Sequence, residues 1–329
     1  RQLPAVLQAT KSGMLFVLDR ETGKPIVPVQ ERAVPASTVP GEAASKTQPF
    51  STLPPLVPLH VDASSAFGLD SADRAACRTT MSALRNDGPF TPPSLEGTLV
   101  TPSNIGGAHW GGVAFDATRQ LAIIPVNDVA AVVQLIPRDS FDGKREDGWE
   151  YAQMRGTPYL MRRRILLSPK GVPCTPPPFG TLVAMDIAAG TVRWRVPLGT
   201  PGTLGGRLAP VRGAQPVPGP GAEPVAKQTG EQSTASAASA ASAALGSPNL
   251  GGAIVTGGGV VFIGATLDRS IRAFDVDSGR ELWRADLPAG GKATPMTYAS
   301  AGRKFVVIAA GGDGDVFGKG DEIVAFALP

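Results

Sequence analysis

Three stretches of this chain share one pattern: VLDRETGKPIV (17–27), AMDIAAGTVRW (184–194) and AFDVDSGRELW (273–283). Each has an Asp, a Gly four positions on, and a large apolar residue, twice Trp, four further. That spacing encodes strand, tight turn, strand: the Asp side chain closes the turn, Gly supplies the positive φ, and the Trp packs on the neighbouring unit. A weaker copy, AFDATRQLAII (114–124), keeps the Asp and the apolar strand but has Gln120 where the Gly would be. The anchors Asp19, Asp116, Asp186 and Asp275 are wider apart than the ~40–50 residues of a regular WD40 or kelch blade, so the pattern predicts four units with long insertions.

The best-defined unit lies at 251–287, where GGAIVT, GVVFIGA, SIRAFDV and RELWRADL alternate apolar and polar side chains between Gly, Asp or Ser turns. This is the signature of a four-stranded antiparallel blade. KATPMTY, KFVVIAA and EIVAFAL begin another blade that lacks its last strand. Composition agrees, because 40 Gly and 32 Pro are too many for a helical fold and 42% apolar residues can fill a core. The fold class expected is all-β, a β-propeller. Both ends look unfinished, since a closed ring leaves no raw sheet edge; the expectation is about half of a larger ring that begins mid-domain. Two regions fall outside the blades. Residues 28–100, rich in Pro, are expected to form a large ordered loop, and residues 211–247, with STASAASAASAALGS, a flexible surface insertion.

Thirty-one basic against 28 acidic residues give a net charge of +3 spread along the chain, with no nucleic-acid footprint. Arg162-Arg163-Arg164, the densest basic run, is expected to be a solvated loop. No apolar stretch is long enough to span a bilayer, so any membrane anchor is expected outside the chain. Cys77 and Cys174 lack CxxC spacing. Free buried thiols are the default expectation and a single disulfide the alternative, if the compartment is oxidising. His60 has no partner spacing and carries no assignment. GGDGDVFGKGDE (311–322) fits neither a P-loop nor an EF-hand and is expected to join two strands of the last blade.

KSGMLFVLDRETGKP, TQPFSTLP, GGAHWGGVAFD, GVPCTPPPFGTLVAMD, RELWRADLPAGGKATPMTY, FVVIAAGG and DEIVAFALP, in that order, resemble the carboxyl-terminal part of the quinoprotein dehydrogenases. Within that family they are most similar to its membrane-bound glucose dehydrogenases. The resemblance implies an eight-bladed propeller with pyrroloquinoline quinone (PQQ) near its axis. It also implies a sugar or polyol substrate, electrons passed to ubiquinone, and a location at the periplasmic face of the bacterial inner membrane. A general-base Asp and the ligands of a Ca2+ or Mg2+ ion are implied on blades that precede this chain, so the chain alone is expected to be inactive.

Three cofactor-binding residues carry over. Lys11, in TKSG, matches the lysine that hydrogen-bonds the PQQ ortho-quinone oxygens, where a cation stabilises the charge that grows as hydride arrives. His109 stands where relatives have the Asn of an Asn-Trp pair; cofactor contact and a structural role are both open for it. Trp110 packs beside the planar cofactor or fills a blade interface, the second being favoured. No metal ligand or catalytic acid–base residue is expected in the chain. The same motifs also fit quinate/shikimate dehydrogenases and, from another class, a propeller that has lost catalysis and serves as a binding scaffold.

Overall fold

The computed structural model describes residues 3–201 and 242–327. The chain divides into two compact units, Arg1–Gly107 with Asp128–Pro176, and Ala108–Asn127 with Pro177–Pro329.

In the first unit, β1 (Ala5–Ala9) and β2 (Leu15–Asp19) form one hairpin, and β3 (Val29–Ala33) and β4 (Thr47–Ser51) another. A four-stranded sheet runs in the order β5 (Thr98–Val100), β8 (Ala131–Pro137), β10 (Tyr159–Ile165), β9 (Glu150–Gln153). The Pro-rich region 28–100 is therefore not one loop. It holds the β3–β4 hairpin, the edge strand β5 and a helix, α1 (Ser71–Ser82). The helix begins where Asp70 accepts the Asp73 N–H at 2.9 Å, and it buries Asp73, Cys77 and Met81, spaced four apart on one face.

Cys77 is bonded to Cys174, with Cα atoms 5.4 Å apart, which corrects the expectation of free thiols. The cause is the placement of α1. Its buried face lies on Leu166, Val132 and Leu99, and the ion pair between Lys170 and Asp70 ties the segment before Cys174 to the start of the helix. Arg162-Arg163-Arg164 is likewise not a loop but the middle of β10. Strand alternation puts Arg162 and Arg164 on the Trp149 ring, at 4.4 and 4.5 Å from its centre, while Arg163 pairs with Glu150 at 2.8 Å.

In the second unit, β6 (Ala114–Asp116), β7 (Leu121–Asn127), β11 (Gly180–Asp186) and β12 (Thr191–Pro197) form a sheet in the order β12-β11-β7-β6. The Asp116 and Asp186 turns thus belong to one sheet rather than to two units. LAIIPVN and GTLVAMD are apolar along almost their whole length, so each is a central strand buried on both faces. They pair with each other from Gly180↔Asn127 to Asp186↔Leu121. The second sheet, β13 (Ala253–Val255), β14 (Val260–Ile263), β15 (Ser270–Asp275) and β16 (Glu281–Asp286), is the meander that the alternation predicts. The third has three strands, β17 (Met296–Ser300), β18 (Arg303–Gly312) and β19 (Lys319–Ala327). A single helical turn, α2 (Gly314–Phe317), joins the last two.

The repeated turns behave as the pattern requires. The Asp19, Asp116, Asp186 and Asp275 carboxylates accept N–H bonds from Thr22, Arg119, Ala189 and Ser278 at 2.8–3.0 Å. The Thr22 N–H for Asp19, the Arg119 N–H for Asp116 and the Ser278 hydroxyl for Asp275 hold these carboxyls below the usual carboxylate range. The fifth turn residue has positive φ at every site: 70° at Gly23, 68° at Gly190, 71° at Gly279 and 56° at Gln120, the one non-glycine. Trp194 packs on the next sheet, its Nε1 donating to the Val276 carbonyl at 2.8 Å, and Trp283 meets Phe326 edge-on at 5.1 Å. Apart from 242–247, the low-complexity insertion lies outside the described residues.

Candidate functional site

The turn from β1 to β2 is Thr10-Lys11-Ser12-Gly13, and its hydrogen bonds fix where the lysine stands. Thr10 N donates to Met14 O at 2.9 Å, Gly13 N to Thr10 O at 3.0 Å, and Gly107 N to the Lys11 carbonyl at 2.8 Å. Gly13 has φ 78°, and a Cβ there would lie 2.2 Å from Val57 Cγ2, so only glycine closes this turn. The backbone of Lys11 is thereby held while its side chain stays exposed. Lys11 Nζ donates to Asn104 O at 2.8 Å. An ammonium has three N–H donors, and among the described residues no carboxylate lies within ion-pair distance of this one.

Lys11 borders a cleft of about 260 Å³ within the first unit, shared with Ser12, Phe90, Thr91, Thr101 and Asn104. It thus combines hydroxyl groups, apolar walls and a cation that lacks a counter-charge. PQQ presents two quinone oxygens and three carboxylates, all acceptors. The Lys11 ammonium and the Thr101 hydroxyl in the same cleft are donors, and they fit such a ligand in chemistry.

In the second unit His109 is buried, and both of its ring nitrogens are engaged. Nδ1 accepts the Gly111 N–H at 3.1 Å, which leaves the proton on Nε2, and Nε2 donates to Asn249 Oδ1 at 3.1 Å. Asn249 is itself fully buried and knotted to Asn127. Asn249 N donates to Asn127 Oδ1 at 2.7 Å, Asn127 Nδ2 to Asn249 O at 2.9 Å, and Asn249 Nδ2 to Val126 O at 3.0 Å. This knot pins the loop carrying His109 to the end of β7 and to the approach to β13. Gly111 passes so close to Gly251 that a Cβ would come within 2.4 Å of its carbonyl oxygen.

Trp110, in contrast, is 63% exposed and touches the His109 ring edge-on, with centroids 5.8 Å apart. Among the described residues the loop leaves most of the indole open, so Trp110 fills no interface within the second unit. A further buried polar centre joins Arg272, 1% exposed, to Asp268 at 2.5 Å and Glu281 at 3.3 Å, with Thr266 and Thr200 also bonded to Asp268. Burial alone would raise the Asp268 carboxyl; the Arg272 guanidinium and these donors outweigh it and hold the carboxyl below its usual range. Sequence reasoning missed Asn127, Asn249 and Arg272. The signal was available in Asn127, a polar residue that ends the otherwise apolar run LAIIPVN.

The PQQ family model for the β-propeller domain of glucose, ethanol and alcohol dehydrogenases matches residues 1–222 and 222–306. The chain belongs to this PQQ β-propeller family. Among its relatives, quinoprotein glucose dehydrogenase A of Acinetobacter calcoaceticus is 38% identical over 99% of this chain and 38% of its own length. The quinate/shikimate dehydrogenase (quinone) of Acinetobacter baylyi is 35% identical over 99% of this chain and 38% of that protein. The glycerol dehydrogenase large subunit of Gluconobacter thailandicus is 34% identical, over 99% and 43%. The chain therefore spans about two-fifths of the length of these relatives and aligns with sequences that act on a sugar, a cyclic hydroxy acid and a small polyol.

Proposed function

We propose that this chain is the carboxyl-terminal part of one PQQ-dependent propeller that oxidises a sugar or polyol, glucose to gluconolactone being favoured, and passes the electrons to ubiquinone. When bound, PQQ supplies the two-electron oxidant for the alcohol. Lys11 would hold the quinone oxygens by charge-assisted hydrogen bonds and stabilise negative charge that develops on them. The observation that carries this is the Lys11 ammonium, fixed on a glycine-closed turn and bonded, among the described residues, to the Asn104 carbonyl beside a hydroxyl-lined cleft. Trp110, considered by itself on the second unit, is an exposed aromatic surface suited to stacking on a planar ligand. His109 serves in this account as the anchor that presents Trp110, since its ring nitrogens already bond Asn249 and Gly111.

The general-base Asp and the Ca2+ or Mg2+ ligands belong, in this reading, to blades that precede the chain. The Cys77–Cys174 disulfide favours maturation in an oxidising compartment, in keeping with the periplasmic face of the inner membrane. Among the described residues no helix is long and apolar enough to cross a membrane, and the proposal places the anchor elsewhere in the protein. Quinate or shikimate is the second reading of the substrate, favoured by the 35% identity to the quinate/shikimate enzyme.

The test is Lys11→Ala in the full-length enzyme reconstituted with PQQ. Turnover of glucose should fall by about 10²–10³-fold, the cost of removing one charge-stabilising donor, with the melting transition unchanged. An unchanged rate removes Lys11 from the mechanism. Running quinate beside glucose decides between the two substrates.

A further inference from the structure

Phe90 lines the same cleft as Lys11, and its backbone is in a conformation that a bulky aromatic residue rarely adopts, with φ 61°. The turn already holds one glycine at positive φ, Gly88 at 112°, and a glycine at position 90 would take this conformation without strain. The turn is instead clasped around Phe90. Thr91 Oγ1 accepts the Asp87 N–H at 3.0 Å and donates to Gly88 O at 2.7 Å, while Thr91 N donates to Gly88 O at 3.3 Å. The ring is fixed from the side by Phe50, T-shaped at 5.5 Å, and Phe50 is in turn capped by the Arg32 guanidinium at 4.9 Å. Arg85 ties the stem of the turn to Asp87 at 2.7 Å, Thr38 Oγ1 at 3.2 Å and Ala36 O at 2.6 Å. A strained aromatic residue held this firmly at the wall of a cleft is a device for shape, since strain persists where the surroundings over-determine it and clusters at ligand sites.

We propose that Phe90 is a specificity-determining residue, the apolar wall of the Lys11 cleft that selects a cyclic sugar or polyol over a small acyclic one. A pyranose or cyclohexane ring presents a C–H face to an aromatic ring and its hydroxyls to polar groups such as Thr101 and Ser103, which share this cleft. An acyclic triol has no such face. The inference deepens the proposed function and rests on it for the chemistry of the substrate.

The experiment uses the full-length enzyme reconstituted with PQQ, as wild type, Phe90→Gly, Phe90→Asn and Lys11→Ala. Gly and Asn both accept the positive φ, so the turn keeps its backbone while the ring is lost, and two variants guard against one that does not fold. Two quantities are read: kcat/KM for D-glucose relative to glycerol, and the PQQ dissociation constant from tryptophan quenching. The expected result is a fall of about ten-fold or more in the glucose-to-glycerol ratio in both Phe90 variants, with PQQ affinity within about two-fold of wild type. An unchanged ratio overturns the proposal, and so does a weakened PQQ affinity with the ratio intact, which would make Phe90 a cofactor contact. Loss of rate in Lys11→Ala alongside an unchanged ratio in the Phe90 variants would sink this inference alone. The converse pattern would retain Phe90 as the substrate wall and sink the role of Lys11.

Discussion

The turn carrying Lys11 and the loop carrying His109 and Trp110 look alike in sequence, each a short polar insertion beside closely packed glycines, yet they differ in what their polar groups do. Lys11 keeps donors available: one bond goes to the Asn104 carbonyl, and the remaining N–H groups adjoin a cleft. The His109 ring is engaged at both nitrogens, within a knot whose members Asn127 and Asn249 are fully buried. A polar group already matched inside the protein has little left to give a ligand, whereas a cation beside a cleft without a counter-charge has. On the proposed function, the difference separates a residue placed to bind from residues that hold their loop still.

That contrast can be broken from the second unit. Asn249→Ala should remove the side-chain bonds to His109 Nε2 and to the Val126 carbonyl while keeping the main-chain bonds to Asn127, at a cost of about 1–3 kcal/mol in urea melts. If it instead left stability intact and removed only activity, the knot would be a functional site and the contrast would be wrong. Acid should sharpen it next. Asp268 and the turn residues Asp19, Asp116 and Asp275 have folded-state carboxyls held below their ordinary range, so their stabilisation is complete above the unfolded value, about 3.9, and is lost as pH falls through the folded values. The melting temperature should be level from pH 7 to about 5 and decline below about 4, and Asp268→Asn should show a flatter acid limb. A decline that begins near neutrality would contradict this. The smallest effect is expected at the irregular repeat. Gln120→Gly should stabilise by up to about 1 kcal/mol, because only Gln120 among the four repeat turns holds a side chain at positive φ. A loss would show that the bond from Gln120 Nε2 to Ala117 O, 2.6 Å, outweighs the strain.

The propeller class was legible because the Asp, Gly and Trp spacing states a local geometry, and local geometry is what sequence specifies most directly: the Asp275 turn, the β13–β16 meander and the Trp194 contact follow from it. What stayed hidden depends on pairing between distant segments. Nothing near Asp116 says that β7 pairs with β11 across more than fifty intervening residues, and nothing near Cys77 says that Cys174 lies under the same helix. The candidate site divides in the same way. Lys11 could be singled out from the family resemblance of its TKSG motif, while Asn104, which accepts its hydrogen bond, and Phe90, which walls the cleft, come from other segments of the chain. Trp110 was legible as an aromatic of interest but not as an exposed one, since exposure is a property of the loop's anchors at Asn249 and Gly251 rather than of its own neighbours.

The central claim is that Lys11 is placed to meet the acceptor oxygens of a redox quinone. A crystal structure of the full-length enzyme with PQQ tests it most directly. The account predicts the Lys11 ammonium within about 2.7–3.2 Å of the quinone oxygens. PQQ bound elsewhere, with Lys11 still bonded only to the Asn104 carbonyl, would contradict it.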